Sequence, residues 1–277
     1  EEKMKKSVNI GVIGSMDFEK GLSIIKDAGF DAVELNLSGV LSMESSEEEV
    51  KKVKEKVNSK GLEIASLLAG AFWQFPLTSD NQQKRQSGEK LLLKSIEICK
   101  YLETDAVLVV PGVVGTVWES EERVKYDIAY KRSQESIKKC VELAEKNNIY
   151  ICVENVWNKF LLSPLEMKNF VEEIGSEYVG VYFDVGNILT IGYPEDWIRI
   201  LGEKIKRIHL KDFKLSVGNI NGFCNLLEGD VNWKEVISAL REIKYDGYLT
   251  AEYGPYKFFP ETIIYNLSLA IDKIIGG

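Results

Sequence analysis

Histidine is almost missing from this chain: His209 is the only one in 277 residues. Cysteine is scarce as well. Cys99, Cys140, Cys152 and Cys224 form no Cys-x-x-Cys pair, and their spacing fits neither a zinc motif nor a disulfide framework. They are expected to be reduced thiols in a cytoplasmic protein. No run of about 18 apolar residues occurs, which argues against a membrane-spanning helix. Basic residues are outnumbered: 35 Lys and Arg against 43 Asp and Glu give a net charge of −8. Nucleic acid and anionic membranes are therefore not expected partners, since both demand clustered cations. The opening Glu1-Glu2-Lys3-Met4-Lys5-Lys6 lacks the apolar stretch of a signal peptide, and residues 1–6 read as a tag or a disordered start. No Gly-x-Gly-x-x-Gly turn follows the first apolar run, because Gly11-Val12-Ile13-Gly14 reads as part of that run. This disfavours a nucleotide-binding open sheet.

What is present is a strict alternation. Short apolar runs over 8–14, 31–37, 62–69, 105–110, 149–156, 179–185, 205–210 and 248–252 read as strands. Between them, helical patterns cover 16–28, 46–60, 80–102, 121–147, 164–174, 194–201 and 233–243, with a last one at 261–274. Ser45-Ser46 caps the second helix, whose Glu47-Glu48-Glu49 start suits the helix dipole. Near-continuous apolar strands alternating with helices predict a parallel sheet, and eight such units close a (β/α)8 TIM barrel. The fold class is therefore α/β, with residues 1–277 forming a single barrel domain. The one long irregular stretch is 213–231, and loops of that length in compact domains are often functional.

Active sites of such barrels lie at the C-terminal ends of the strands. Glu154, Asp184, His209 and Glu252 stand in or at the ends of strands five to eight in succession. They are expected to converge on one side of the mouth. Three carboxylates held close together repel one another unless a cation joins them. Oxygen ligands with one imidazole suit Mn²⁺, Mg²⁺ or Co²⁺, with Zn²⁺ as a further option.

This set resembles the metal site of the xylose-isomerase-like barrel superfamily, and more narrowly its sugar and sugar-phosphate isomerase/epimerase branch. The resemblance covers essentially the whole chain. It is most specific in Phe183-Asp184-Val185-Gly186-Asn187, His209-Leu210-Lys211-Asp212 and Glu228-Gly229-Asp230-Val231-Asn232-Trp233. It implies that Glu154 and Glu252 are metal ligands and acid/base groups, that Asp184 and His209 are ligands alone, and that the metal is Mn²⁺. It also implies a small sugar or sugar phosphate as substrate and a homo-oligomer, dimer or tetramer. Free-ketose epimerases typically carry a glutamate where Phe160 stands and a histidine where Asn187 stands. Both positions, with Phe75-Pro76-Leu77-Thr78-Ser79, look more like ketose-phosphate 3-epimerases.

The implied chemistry is coherent. Epimerising a carbon beside a ketone requires removing its proton and returning one to the opposite face. The enediolate formed on the way is stabilised by a Lewis acid. Aldose–ketose isomerisation and dehydration of a polyol ketone share that species and are the alternatives. An abasic-site endonuclease would need many more histidines and a basic surface. A purely sugar-binding protein would not need two glutamates. Lys211 is a candidate for substrate contact or for a salt bridge with Asp212. Glu34, at the end of strand two, is expected to face the mouth and contact substrate or order a loop. Trp73, Trp118 and Trp157 are candidates for stacking on a sugar, with loop packing as the plainer role. The 228–233 segment either closes over the site or caps the next helix through Asp230.

Overall fold

The computed structural model describes residues 4–116 and 122–277. Eight parallel strands close a barrel: β1 (Lys5–Asn9), β2 (Ala32–Asn36), β3 (Glu63–Leu68), β4 (Ala106–Val109), β5 (Tyr150–Glu154), β6 (Val179–Asp184), β7 (Ile205–Leu210) and β8 (Tyr248–Ala251). Each pairs with its neighbours in chain order, and β1 joins β8 to shut the ring. Around it run α1 (Phe18–Asp27), α2 (Glu47–Ser59), α3 (Gln82–Leu102), α4 (Tyr126–Asn147), α5 (Pro164–Glu172), α6 (Pro194–Leu201), α7 (Trp233–Glu242) and α8 (Thr262–Gly276). The expected order of elements is the observed one. The N-terminal end assigned to α4, residue 121, lies outside the described residues.

Local chemistry sets the ends. Ser46 and Glu49 form a reciprocal capping box at the start of α2, which satisfies two otherwise orphaned amides. The first strand is shorter than the apolar run 8–14 suggests. The Asn9 side chain accepts a 2.8 Å hydrogen bond from the Gly11 amide, and the chain turns into a 3-10 turn over Ile10–Ile13. A residue that can bond its own backbone two positions on competes with the sheet ladder.

The core lies in two places. Between strands and helices it is apolar, with side chains such as Leu35, Ile208, Leu210 and Trp197 fully or almost fully buried. Inside the barrel it is polar: Ser7, Asn9, Glu34, Ser66, Arg207 and His209 are all buried there. Near-continuous apolar runs predict strands apolar on both faces; the inward face is instead polar. A buried polar layer is tolerated where its members bond one another. At the lower end, Arg207 donates from Nε to the Ala65 carbonyl at 2.7 Å and pairs with Asp105.

The irregular stretch after β7 is not structureless. Asp212–Phe213 pairs antiparallel with Phe223–Cys224. Asp212, fully buried, is the hub of this excursion. Its carboxylate accepts from the amides of Phe213 (2.9 Å), Leu227 (3.0 Å) and Val231 (3.2 Å) and from Trp233 Nε1 (3.0 Å). Gly229 passes so close that a Cβ there would lie 2.1 Å from Asp212 Oδ1 and 2.6 Å from the Phe213 amide. Any side chain at 229 would force the loop away. The helix that follows is capped by Asn232, which accepts from the Glu235 amide. Asp230, the cap in one of the two readings of 228–233, instead accepts from the Leu215 amide at 2.7 Å.

Hydrogen bonds to a charged acceptor contribute about 1.5–3 kcal/mol each, and a buried donor left unpaired costs about as much. Asp212→Ala should therefore destabilise the protein by about 2–4 kcal/mol. Amide exchange should rise across 213–231 before it rises in the barrel strands. Uniform exchange throughout the chain would show that Asp212 does not organise this segment.

Candidate metal centre

The register of the barrel brings the candidate ligands together. Asp184 pairs with His209 across β6 and β7, and Glu154 pairs with Tyr182 across β5 and β6. Glu252 follows β8 directly, its amide bonded to the Leu210 carbonyl. Period-two alternation puts Glu154, Asp184, His209 and Glu252 on the inner face. One ligand atom from each lies within 4.8 Å of the others. His209 Nδ1 lies 3.3 Å from Glu154 Oε1, 3.3 Å from Glu252 Oε2 and 3.9 Å from Asp184 Oδ2.

The second imidazole nitrogen is fixed from below. His209 Nε2 donates to Glu34 Oε1 at 2.8 Å, since a carboxylate can only accept. Glu34 also accepts from Asn9 Nδ2 (2.7 Å), the Ser66 hydroxyl (2.8 Å) and the Tyr182 hydroxyl (2.7 Å). It is fully buried. The expectation that Glu34 faces the mouth is thus overturned. It lies beneath the imidazole, away from the residues that line the cavity, and bonds the nitrogen opposite the acid cluster. A carboxylate behind a metal-binding histidine fixes tautomer and ring angle.

Asp184 is held just as firmly. Asn155 brackets its backbone, accepting from the Asp184 amide and donating to the Asp184 carbonyl, both at 2.8 Å. The Asn187 amide donates to Asp184 Oδ1 at 2.9 Å, and Asn187 Nδ2 donates to the Asn155 carbonyl. Asn187 lines the cavity, but its N–H groups face inward. Asp184 Oδ2 and Glu252 Oε2 are buried with no hydrogen-bond partner. Lys211 Nζ reaches both as an ion pair, at 2.9 Å from Asp184 Oδ2 and closer still to Glu252 Oε2. Of the two roles open to Lys211, substrate contact or a salt bridge with Asp212, the ion pair is found with different acids: it pairs with Asp184 and Glu252 and lines the cavity.

The charges act on one another. For Glu154, burial dominates and raises the carboxyl to about 7, against the pull of His209 and Lys211. For Glu252, burial is outweighed by Lys211 and His209, which hold it at about 2. Burial would lower His209, yet Glu34 and Glu252 together hold the imidazole well above its usual range. Glu34 itself stays below the usual carboxylate range despite burial, because His209 faces it. A metal at Nδ1 has to displace that nitrogen's proton.

Two buried carboxylate oxygens held through ion pairs, a third carboxylate and an oriented imidazole suit a divalent ion. A spread of 4.8 Å can be bridged by an ion about 2.0–2.6 Å from each donor. The donor set is oxygen-rich with one nitrogen, which favours Mn²⁺, Mg²⁺ or Co²⁺ over thiophilic metals.

Glu154 and Glu252 of the cluster, with Lys211, line a cavity of about 690 Å³. Trp73, Trp157, Phe223, Tyr253 and Tyr256 line other parts of it. Trp157 is tied down: its Nε1 donates to the Asn187 carbonyl at 2.8 Å, and its ring packs against Phe213 and Phe223. Trp118 lies outside the described residues. Phe160 is buried against Tyr126, Tyr130 and Phe170 and does not line the cavity. Four residues that shape the site went unread in the sequence: Asn9, Ser66, Asn155 and Tyr182. Tyr182 had a usable signal, since it stands two residues before Asp184 and must share its face.

A barrel with three carboxylates and one oriented imidazole at the C-terminal ends of β5 to β8 defines a class of metal-competent enzyme scaffold. This chain belongs to the xylose isomerase-like TIM barrel family, whose model matches residues 22–269. It is similar to an uncharacterised protein of Methanocaldococcus jannaschii, 26% identical over 82% of this chain and 76% of that one. It is also similar to L-ribulose-5-phosphate 3-epimerase of Salmonella heidelberg, 22% identical over 82% of this chain and 79% of that one. In fold it matches D-psicose 3-epimerase of Clostridium cellulolyticum H10, solved with D-tagatose, at a TM-score of 0.81 and 16% identity, covering 98% of each chain. No helix among the described residues is long and apolar enough to cross a membrane.

Losing a partner behind a ligating histidine typically weakens metal binding about 10–100-fold. Glu34→Gln keeps the shape but removes the negative charge behind Nε2, so the imidazole is a weaker ligand at Nδ1. Titration calorimetry with Mn²⁺ should show that loss, with the barrel's circular dichroism unchanged. Equal affinity in variant and parent would remove Glu34 from the site.

Proposed function

We propose that this protein is an isomerase that inverts C3 of a ketose or ketose phosphate with the help of a divalent ion held by Glu154, Asp184, His209 and Glu252. The observation that carries this reading is that Glu154, at the end of β5, and Glu252, after β8, flank Asp184 and His209 in one cluster and both line the cavity. The names of its relatives point the same way. A metal in the cluster would supply Lewis-acid stabilisation of negative charge on the sugar's oxygens. We assign it as Mn²⁺.

The chain's own residues do the rest. One glutamate takes the C3 proton as general base. The other returns a proton to the opposite face as general acid, and the roles exchange in the reverse direction. Asp184, bracketed by Asn155 and Asn187, keeps its Oδ2 aimed at the cluster rather than at substrate. Glu34 holds His209, so the imidazole does not turn towards the sugar. Trp73 and Trp157 present apolar faces suited to the C–H side of a sugar, and the buried depth of the cluster limits water. Four cysteines outside any disulfide fit a reducing, cytoplasmic setting.

A panel of ketoses and ketose phosphates incubated with Mn²⁺ in deuterated water tests this. Label should enter C3 of the product from the first turnover, with mass otherwise conserved. Each general acid or base supplies about 10²–10⁴-fold, so Glu154→Gln and Glu252→Gln should each lower kcat by at least about 10²-fold. Each variant should still be able to exchange the C3 proton of one epimer while failing to invert it. Near-normal epimerisation in either variant would defeat the two-base scheme. Label at C1 or C2 of an aldose would make the enzyme an aldose–ketose isomerase, and a product lighter by one water would make it a lyase.

A further inference from the structure

Two cations have a claim on the same pair of oxygens. Asp184 Oδ2 and Glu252 Oε2 are the buried carboxylate atoms of the cluster that carry no hydrogen bond. They also stand nearest, with Glu154 Oε1, to His209 Nδ1, so an ion held by the cluster needs them. Lys211 Nζ already bridges them, 2.9 Å from the first and closer to the second. Two other donor atoms are committed: Asp184 Oδ1 to the Asn187 amide, and His209 Nε2 to Glu34. An ammonium and a divalent ion cannot both sit within bonding distance of these two atoms without strong mutual repulsion. One of them has to leave.

Lys211 is built to be the one that leaves. Its side chain is one-fifth exposed, whereas His209 and Asp184 are fully buried. It lines the cavity, and its Nζ stands 5.9 Å from the centre of the Phe223 ring. A four-carbon stem lets the ammonium move several ångströms without moving the strand.

Resting on the metal assignment made above, we propose that Lys211 is an internal competitor for the metal. Its ammonium and a divalent ion exclude one another from Asp184 Oδ2 and Glu252 Oε2. When the ion departs, Lys211 supplies the positive charge that keeps three carboxylates together. When the ion enters, Lys211 is released into the cavity. The cost of that exchange makes the metal weaker and more exchangeable than its ligands alone would. Lys211 is thus a positioning residue of the acid cluster, distinct from the ligands.

Calorimetric titration of Mn²⁺ into chelator-treated protein tests the exchange directly. Lys211→Met keeps the stem and removes the charge. It should tighten Mn²⁺ binding by about tenfold or more, since three carboxylates then face the ion with no rival. Lys211→Arg keeps the charge and should not tighten it. Metal-free Lys211→Met should melt below metal-free wild type, and Mn²⁺ should raise its Tm by more than it raises that of wild type. If Lys211→Met does not fold without metal, the variant purified with Mn²⁺ should keep the ion at chelator concentrations that strip wild type. Unchanged or weaker affinity in Lys211→Met, or equal stripping, overturns the proposal while the metal assignment stands. Failure of wild type to bind Mn²⁺, Mg²⁺, Co²⁺ or Zn²⁺ overturns both.

Discussion

Like charges gathered a few ångströms apart, away from bulk water, repel one another strongly, and the top of this barrel gathers three. Everything around Glu154, Asp184 and Glu252 answers that repulsion. His209 stands among them with Nδ1 towards their oxygens, and Lys211 closes the other side. Beneath the imidazole lies a further carboxylate, Glu34. Sign therefore alternates up the barrel: Glu34, His209, the acid trio, Lys211. Removing any one member leaves a neighbour charged and unpaired, which is costlier than the pair itself is stabilising. The same arrangement leaves room for one change without collapse, the exchange of one cation for another at the exposed end.

Such a column needs a floor that does not shift. Closing the sheet provides it, because a ring of parallel strands has no edge to slide along. Glu34 on β2 reaches His209 on β7 through the barrel interior, and Tyr182 on β6 and Ser66 on β3 bond the same Glu34 oxygen. Five strands, with Asn9 of β1 added, are cross-linked by one buried carboxylate. In many barrels this layer is filled by branched apolar side chains. Here its side chains trade some hydrophobic stabilisation for directional bonds, and the histidine they hold has one orientation.

Much of this could be read from the residues alone. The eight-fold alternation was visible in the apolar runs and their Gly and Ser boundaries. The four candidate ligands were visible because each stands at or beside the C-terminal end of a strand, and strand ends of successive units must be neighbours. What escaped was everything that depends on the far side of the ring. Glu34 and His209 are 175 positions apart, and no local pattern tells an inward carboxylate at mid-height from one at the mouth. A salt bridge between Lys211 and Asp212 is one of two readings that sequence adjacency offers; yet adjacent residues of an extended chain point to opposite faces, and Lys211 pairs with Asp184 and Glu252 instead. Asn9 broke the first strand early because a side chain outcompeted the ladder, a contest that apolar periodicity does not register. The backbone bonds of Asp212 were equally invisible, since they run to amides 15 and 19 residues on.

The stretch from Arg207 to Asp212 shows why fold and chemistry cannot be varied separately here. Arg207, His209 and Lys211 follow one another at period two on the inner face, at rising height. The first anchors the lower interior through Ala65 and Asp105, the second sits in the acid cluster, and the third opens on the cavity. Ile208 and Leu210, between them, are fully buried on the opposite face against the helices. A slip of one residue in β7 would exchange the two sets, burying three cations among apolar side chains and aiming two aliphatic ones at the carboxylates. Neither outcome is tolerable, so the apolar fit of Ile208 and Leu210 under the helices also fixes the height of the imidazole. The hydrophobic effect, which has no direction of its own, thereby determines where a single nitrogen atom points.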